Sequence, residues 1–221
     1  MSSLDLSAPA HNVALDEYIE AHTTAEHPYL RRLYRATHLH LLHARMASGH
    51  VQGLLLKMLA QLSGARRVLE VGTYSGYATL ALASGMPAGS SILTFEINDE
   101  QEDFTRPWLE GAPWEVDIEM VIGDVLAVLP TRTEAPFDLI YIDGNKRDYV
   151  AYFDLLYPLL APGGLLIADN TLWDGHVVEA SYAEDAQTKS IKAFNDLVAQ
   201  HPDLDTLILP LRDGLTVARK R

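Results

Sequence analysis

Residues 66–77 read RRVLEVGTYSGY, an apolar run that passes straight into a glycine loop and then into a helical pattern. Strand, glycine turn and helix in that order form the opening unit of a βαβ fold. Gly72 and Gly76 let backbone approach a ligand closely, and the helix that follows aims its N-terminal N–H groups at it. The spacing departs from G-x-G-x-x-G, so a dinucleotide pyrophosphate fits poorly. Glu70, before the first glycine, would repel phosphates and welcome an ammonium. The next apolar run ends at Glu96, about 20 residues past the loop, where an acid grips ribose hydroxyls. Ribose, a positive end and no phosphate together describe S-adenosylmethionine. The plainer alternatives are a tight packing turn at the glycines and, for Glu96, a solvated helix start leading into Asn98-Asp99-Glu100.

Outward from this unit the pattern repeats. After RRVLEV come SILTFEI, VDIEMVI, FDLIYI, GLLIA, DTLILPL and LTVARK, separated by helical stretches. This alternation predicts a doubly wound, mainly parallel α/β sheet with helices on both faces. Arg212-Asp213-Gly214 joins the last two runs as a hairpin-like turn, which makes the final strand antiparallel. Before residue 65 the spacing is helical, in LRRLYRATHLHLL and VQGLLLKMLAQL, the second stopped by Gly64. One domain over residues 1–221 follows, a helical extension (1–64) on an α/β core (65–221).

Composition narrows the function. The 221 residues are 48% hydrophobic and 21% charged, with a net charge of −13. A polyanionic partner would need a local basic patch against that field. There are no cysteines, which excludes disulfides and thiolate chemistry. No apolar run reaches the ~18 residues of a membrane span. The opening MSSLDLSAPAHNV lacks the basic and apolar regions of a signal peptide, so a cytoplasmic location is expected.

Two strand ends carry the densest chemistry. Asp143-Gly144-Asn145-Lys146 follows FDLIYI, and Asp169-Asn170 follows GLLIA. Asp143, Asp169 and the Asn170 amide supply hard oxygen donors suited to Mg²⁺, Ca²⁺ or Mn²⁺ rather than zinc. Lys146 stands close enough to touch whatever such a cation holds, and a cation beside a lysine is a device for deprotonating a hydroxyl. The competing reading makes these residues caps and turn formers. Asp124 faces adenine or caps a helix. Trp173 walls an aromatic acceptor or anchors the core. His38, His40, His43 and His50 lie in one region, but no carboxylate sits among them, and surface or pocket-lining roles are expected, with at most His40 and His43 on one helical face. Arg31, Arg32 and Arg35 read as a solvated helix face.

The strings RMASGHVQGLLLKML, VLEVGTYSGYATLALA, TFEIND, IGDVL, FDLIYIDGNKRDYVAY, PGGLLIADNTLWDGHV and LPLRDGLTV resemble the cation-dependent O-methyltransferases of the caffeoyl-CoA and catechol type, especially the bacterial members. The resemblance runs from about Tyr29 to Arg219. It implies a seven-stranded class I methyltransferase fold, a homodimer, S-adenosylmethionine as methyl donor, and a catechol-like small-molecule acceptor. It implies Asp143, Asp169 and Asn170 as cation ligands, with Lys146 as base. Lys146 would take the proton, or stabilise the anion, with its own pKa depressed by the cation and by burial. Glu70, Gly72, Thr73 and Gly76 would hold the methionine end of the cofactor and Glu96 its ribose. Ser48 and Asp124-Val125 would flank it, with Asp143 and Asn145 beside the transfer centre. Trp173 and Asp174 would contact the acceptor. The chain departs at Asn145, where the family has a carboxylate, and at Ala78, where it commonly has a serine. The segment before Tyr29 lacks the substrate-reading pattern of the plant enzymes. Some bacterial relatives resemble tRNA methyltransferases acting on 5-hydroxyuridine, a reading that needs Arg31, Arg32, Arg35, Arg45, Arg66 and Arg67 on one surface. A nucleotide-binding dehydrogenase or a non-catalytic module is the remaining rival.

Overall fold

The computed structural model describes residues 13–221, so the expectation about the opening segment lies outside the described residues. Three helices come first: α1 (Val13–Ala21), α2 (Pro28–His40) and α3 (His50–Ser63). Pro28 sits in the first turn of α2, where its missing N–H costs nothing. Gly64 ends α3 in the left-handed conformation, as the sequence predicts.

The core then alternates: β1 (Arg67–Val71), α4 (Tyr77–Ala83), β2 (Ser90–Glu96), α5 (Glu102–Glu110), β3 (Val116–Ile122), α6 (Val125–Val128), β4 (Phe137–Ile142), α7 (Tyr149–Leu156), β5 (Leu160–Asp169), α8 (Ala186–Gln200), β6 (Leu204–Leu209) and β7 (Leu215–Lys220). The strands form one seven-stranded sheet in the order β3-β2-β1-β4-β5-β7-β6. β1 to β5 run parallel, while β7 runs antiparallel to both neighbours. The predicted doubly wound sheet and its antiparallel last strand are both present.

Side-chain alternation explains why the central runs are apolar throughout. Leu69, Val71, Ile140 and Ile142 bury toward one layer with Tyr149, Phe153 and Phe194. Val68, Leu139, Tyr141 and Ile167 bury toward the other, against Leu56, Ala60 and Leu82. Through this second layer α3 packs directly on the sheet. Strand order reverses between β1 and β4, and that crevice at the carboxyl ends is where open α/β sheets bind ligands. Among the described residues, no helix is long and apolar enough to cross a membrane.

Candidate active site at the carboxyl edge of the sheet

β1 leaves the sheet at Gly72, whose φ of +97° suits glycine. A Cβ there would stand 2.2 Å from the Asp143 carbonyl oxygen, so the turns after β1 and β4 touch only because this residue has none. Gly72 and Thr73 both donate their N–H groups to the Phe95 carbonyl, at 2.9 and 3.2 Å.

Glu70 is fully buried behind this loop. Its Oε2 accepts from Thr94 Oγ1 at 2.6 Å and from the Thr79 hydroxyl in a shorter contact. Thr73 Oγ1 lies 2.6 Å from Thr94 Oγ1, and since Thr94 spends its proton on Glu70, Thr73 is the donor. Thr73 lines an open cleft with Ser48, Tyr74, Ser75, Ala78 and Asp143. Glu70 therefore communicates with the cleft through two hydroxyls. Its Oε1 is buried with no partner among the described residues. Burial outweighs the two hydroxyl contacts and pushes its pKa up to about 8. A ligand ammonium in the cleft would reverse that balance. Glu96 is nearly buried at the end of β2 and accepts from Tyr74 N at 2.7 Å and Asn98 N at 2.9 Å.

The carboxyl ends of β4 and β5 hold a second cluster. Lys146 Nζ donates to Asp143 Oδ1 at 2.8 Å and to the Tyr149 hydroxyl at 3.0 Å. Tyr149 in turn donates to the Asp169 carbonyl at 2.8 Å. Asp169 Oδ2 accepts from Gln52 Nε2 at 2.6 Å and from the Tyr141 hydroxyl at 3.0 Å. Asn170 has a left-handed backbone (φ +57°) and donates its side-chain Nδ2 to Asp213 Oδ2 at 3.1 Å.

Burial raises the Asp143 pKa; the Lys146 ammonium opposes this and the Asp169 charge adds to it. Burial alone would lower Lys146, but the Asp143 carboxylate and the Tyr149 hydroxyl carry it well above the ordinary lysine value. In the cation-free protein Lys146 is therefore an ammonium, the counter-charge of Asp143; the expected lowering of its pKa belongs to the cation-loaded site.

The remaining expected residues fall as follows. Ser48 is buried and gives its carbonyl to Arg212. Asp124 caps α6 by accepting from Leu126 N at 2.9 Å, and Val125 is buried in the core. Asn145 turns its side chain into the following turn, with Nδ2 donating to Asp148 Oδ2 at 2.7 Å. Gly76 begins α4 with φ +78°. Trp173 packs partly into the core, and Asp174 is exposed; Trp173, Asp174 and Gly175 are all left-handed. His40 ends α2 and His43 lies beyond it, so they do not share a helical face. His50 instead contacts the Thr24 carbonyl at 2.7 Å.

Asp143, Asp169 and Asn170 together fit a hard divalent cation. The buried Asp169 and the part-buried Asp143 lie near enough for the one charge to act on the other, and the positive charges facing Asp143 among the described residues are the Lys146 ammonium and, more weakly, the Arg212 guanidinium, so a further cation is accommodated. The Asn170 nitrogen is committed to Asp213, so the amide offers its oxygen on the other side. Among the described residues no three His, Cys, Asp or Glu side chains gather as a cation cluster, the third donor here being an amide. Gln52, Tyr141, Tyr149 and Asp213 were not singled out in the sequence. Asp213 had a usable signal: β7 pairs Leu215 with Asp169, which brings the preceding turn beside the end of β5.

With that geometry in place, known proteins offer a comparison. A model of the O-methyltransferase family matches residues 20–221. Caffeoyl-CoA O-methyltransferase 2 of Populus trichocarpa is 33% identical over 187 residues, covering 79% of this chain and 75% of that protein. The O-methyltransferase from Bacillus cereus, solved in complex with SAH, superposes with a TM-score of 0.80 at 28% identity, covering 94% and 97% of the two chains. That of Streptomyces achromogenes, involved in tomaymycin synthesis and solved with SAM, gives 0.84 at 29% identity over 94% and 96%.

Proposed function

This chain belongs to the O-methyltransferase family and is S-adenosylmethionine-dependent, and from that premise we propose that it methylates a hydroxyl of a catechol-like small molecule with the help of a divalent cation. The carrying observation is the Lys146–Asp143 contact of 2.8 Å beside Asp169 and Asn170, at the sheet's switch point.

Thr73, Gly72 and the loop to Gly76 would hold the methionine end of the cofactor, and Glu96 the ribose. S-adenosylmethionine supplies an electrophilic methyl group. Asp143, Asp169 and Asn170 would hold Mg²⁺ or a similar ion, which lowers the pKa of a coordinated hydroxyl. Lys146 handles the proton of the acceptor hydroxyl. With the Asp143 charge shared with the cation, Lys146 would release its proton to solvent and take that of the acceptor hydroxyl as a neutral amine, and the ammonium so formed would stabilise the developing oxyanion. Trp173 and Asp174 would bound the acceptor. The rest of the work is alignment of oxygen with methyl. A homodimer in the cytoplasm belongs to the same proposal, and sedimentation of the purified chain tests the dimer.

The acidic balance and the arginines weigh against a tRNA acceptor. Arg66 and Arg67 stand at the amino end of β1, opposite the candidate site, and Arg67 is paired with Glu134 at 3.2 Å. The deciding experiment is methyl transfer from labelled S-adenosylmethionine to caffeic acid, with Mg²⁺ and with EDTA, beside a tube containing unmodified tRNA. Cation-dependent labelling of caffeic acid alone carries the proposal. Labelling of tRNA alone overturns it.

A further inference from the structure

We propose that Asp213 is a positioning residue that selects which end of the Asn170 amide faces the cation. The inference rests on the cation reading above. An amide has an oxygen on one side and a nitrogen on the other, and nothing in its shape decides between them. Asp213 decides it. Its Oδ2 takes the Asn170 Nδ2–H at 3.1 Å, and a carboxylate can only accept. Its Oδ1 accepts from the backbone N–H of Asp174, so both carboxylate oxygens are engaged by donors.

The turn that carries Asp213 is held from several sides. Leu172 N donates to the Asp213 carbonyl at 2.9 Å and Thr171 N to the Gly214 carbonyl at 3.0 Å. Gly214 has φ +86°, and a Cβ there would meet Leu172 Cγ at 2.4 Å. Arg212 reaches the other way and donates to the carbonyls of Arg45 at 2.9 Å, Ala47 at 2.8 Å and Ser48. The carboxylate is thus fixed relative to Asn170, to the Trp173-Asp174 loop and to the Ser48 side of the cleft.

Isosteric exchange tests this. In Asp213→Asn the new side chain must still accept from Asp174 N, which turns its NH₂ toward residue 170. Asn170 then flips to accept, and its own NH₂ points at the cation position. The swap Asn170→Asp/Asp213→Asn restores both hydrogen bonds and an oxygen donor. Mn²⁺ affinity of the cofactor-free protein, read by electron paramagnetic resonance, is expected to fall about 10- to 100-fold in Asp213→Asn. In the swap it should recover to at least the wild-type value, with melting temperatures measured beside each. Unchanged Mn²⁺ affinity in Asp213→Asn, or no recovery in the swap, overturns the role of Asp213 alone. No Mn²⁺ binding by the wild type overturns the cation reading and this inference with it. The wild type gives an independent readout: the Asn170 side-chain amide, assigned by its loss in Asn170→Asp, should show slowed proton exchange without cation. Fast exchange of both protons also overturns the role.

Discussion

Gln52 on α3 donates its side-chain N–H to Asp169 Oδ2 at 2.6 Å, joining the helical extension to the end of β5 across 117 residues of chain. The contact is buried, and Tyr141 is the other donor to the same oxygen. Hydrogen bonds to charged groups are worth about 1.5–3 kcal/mol. Gln52→Leu should therefore lower the stability of the cation-free protein by about that amount in urea unfolding. A midpoint equal to the wild type would detach α3 from the site.

Lys146 touches Asp143 and Tyr149 and, among the described residues, is the ammonium that pairs with this carboxylate cluster. Lys146→Met is expected to lower kcat by about 10²- to 10⁴-fold, the usual span for losing a proton-handling group. The S-adenosylmethionine Kd, measured by calorimetry, should change little. Full turnover in the variant removes Lys146 from the chemistry.

Glu70 sets a pH dependence of stability. Its folded pKa of about 8 stands above the ordinary 4.5, so between these values the folded protein keeps a proton that the unfolded chain releases. Stability from this group is full below about 4.5, falls as pH rises toward 8, and is flat beyond. Glu70→Gln lacks this slope. From pH 5 to pH 8 in urea, without cofactor, the variant should gain on the wild type by more than about 1 kcal/mol, because a tenfold difference in proton affinity is worth about 1.4 kcal/mol. Parallel pH profiles would refute the assignment.

Gly72→Ala places a methyl group 2.2 Å from the Asp143 carbonyl oxygen in a left-handed backbone. Neither strand can yield, because Asp143 N is bonded to the Val71 carbonyl at 2.8 Å. A loss above about 3 kcal/mol is expected, together with weakened cofactor binding. Gly89→Ala is the control: its φ is +76°, but nothing lies within 4 Å of the added carbon. It should cost only about 1 kcal/mol. Equal losses would mean that backbone strain, and not the close approach, governs Gly72.

The sheet was legible because its signal is local. VDIEMVI, FDLIYI and LTVARK coincide with β3, β4 and β7 residue for residue. The places of Asp143, Asp169 and Asn170 were legible for the same reason, since Asp143 follows β4 and Asp169-Asn170 ends and follows β5. What escaped is what folding brings from afar. Gln52 reads as one polar position in an amphipathic helix, and Tyr141 as one more β-forming core residue. Their meeting at Asp169 depends on how α3 crosses the sheet, which no spacing encodes. The threonines behind Glu70 escaped similarly: Thr79 opens a helix and Thr94 sits mid-strand, both ordinary places for the residue. Lys146 shows a different limit: it was legible as a neighbour of the cluster, but its charge state in the cation-free protein was not. That state is set by the distance to Asp143.

Chain order and spatial order disagree at one edge of the sheet. β7 lies between β5 and β6, although β6 is the earlier segment. Among the described residues β6 pairs only with β7, so it joins the sheet only when residues 215–220 have docked beside β5. A stop codon anywhere in residues 210–215 would therefore cost two strands, and it would also release the turn that steadies Asn170. Until that docking takes place the flank of β5 is an open edge, a template on which another polypeptide can pair.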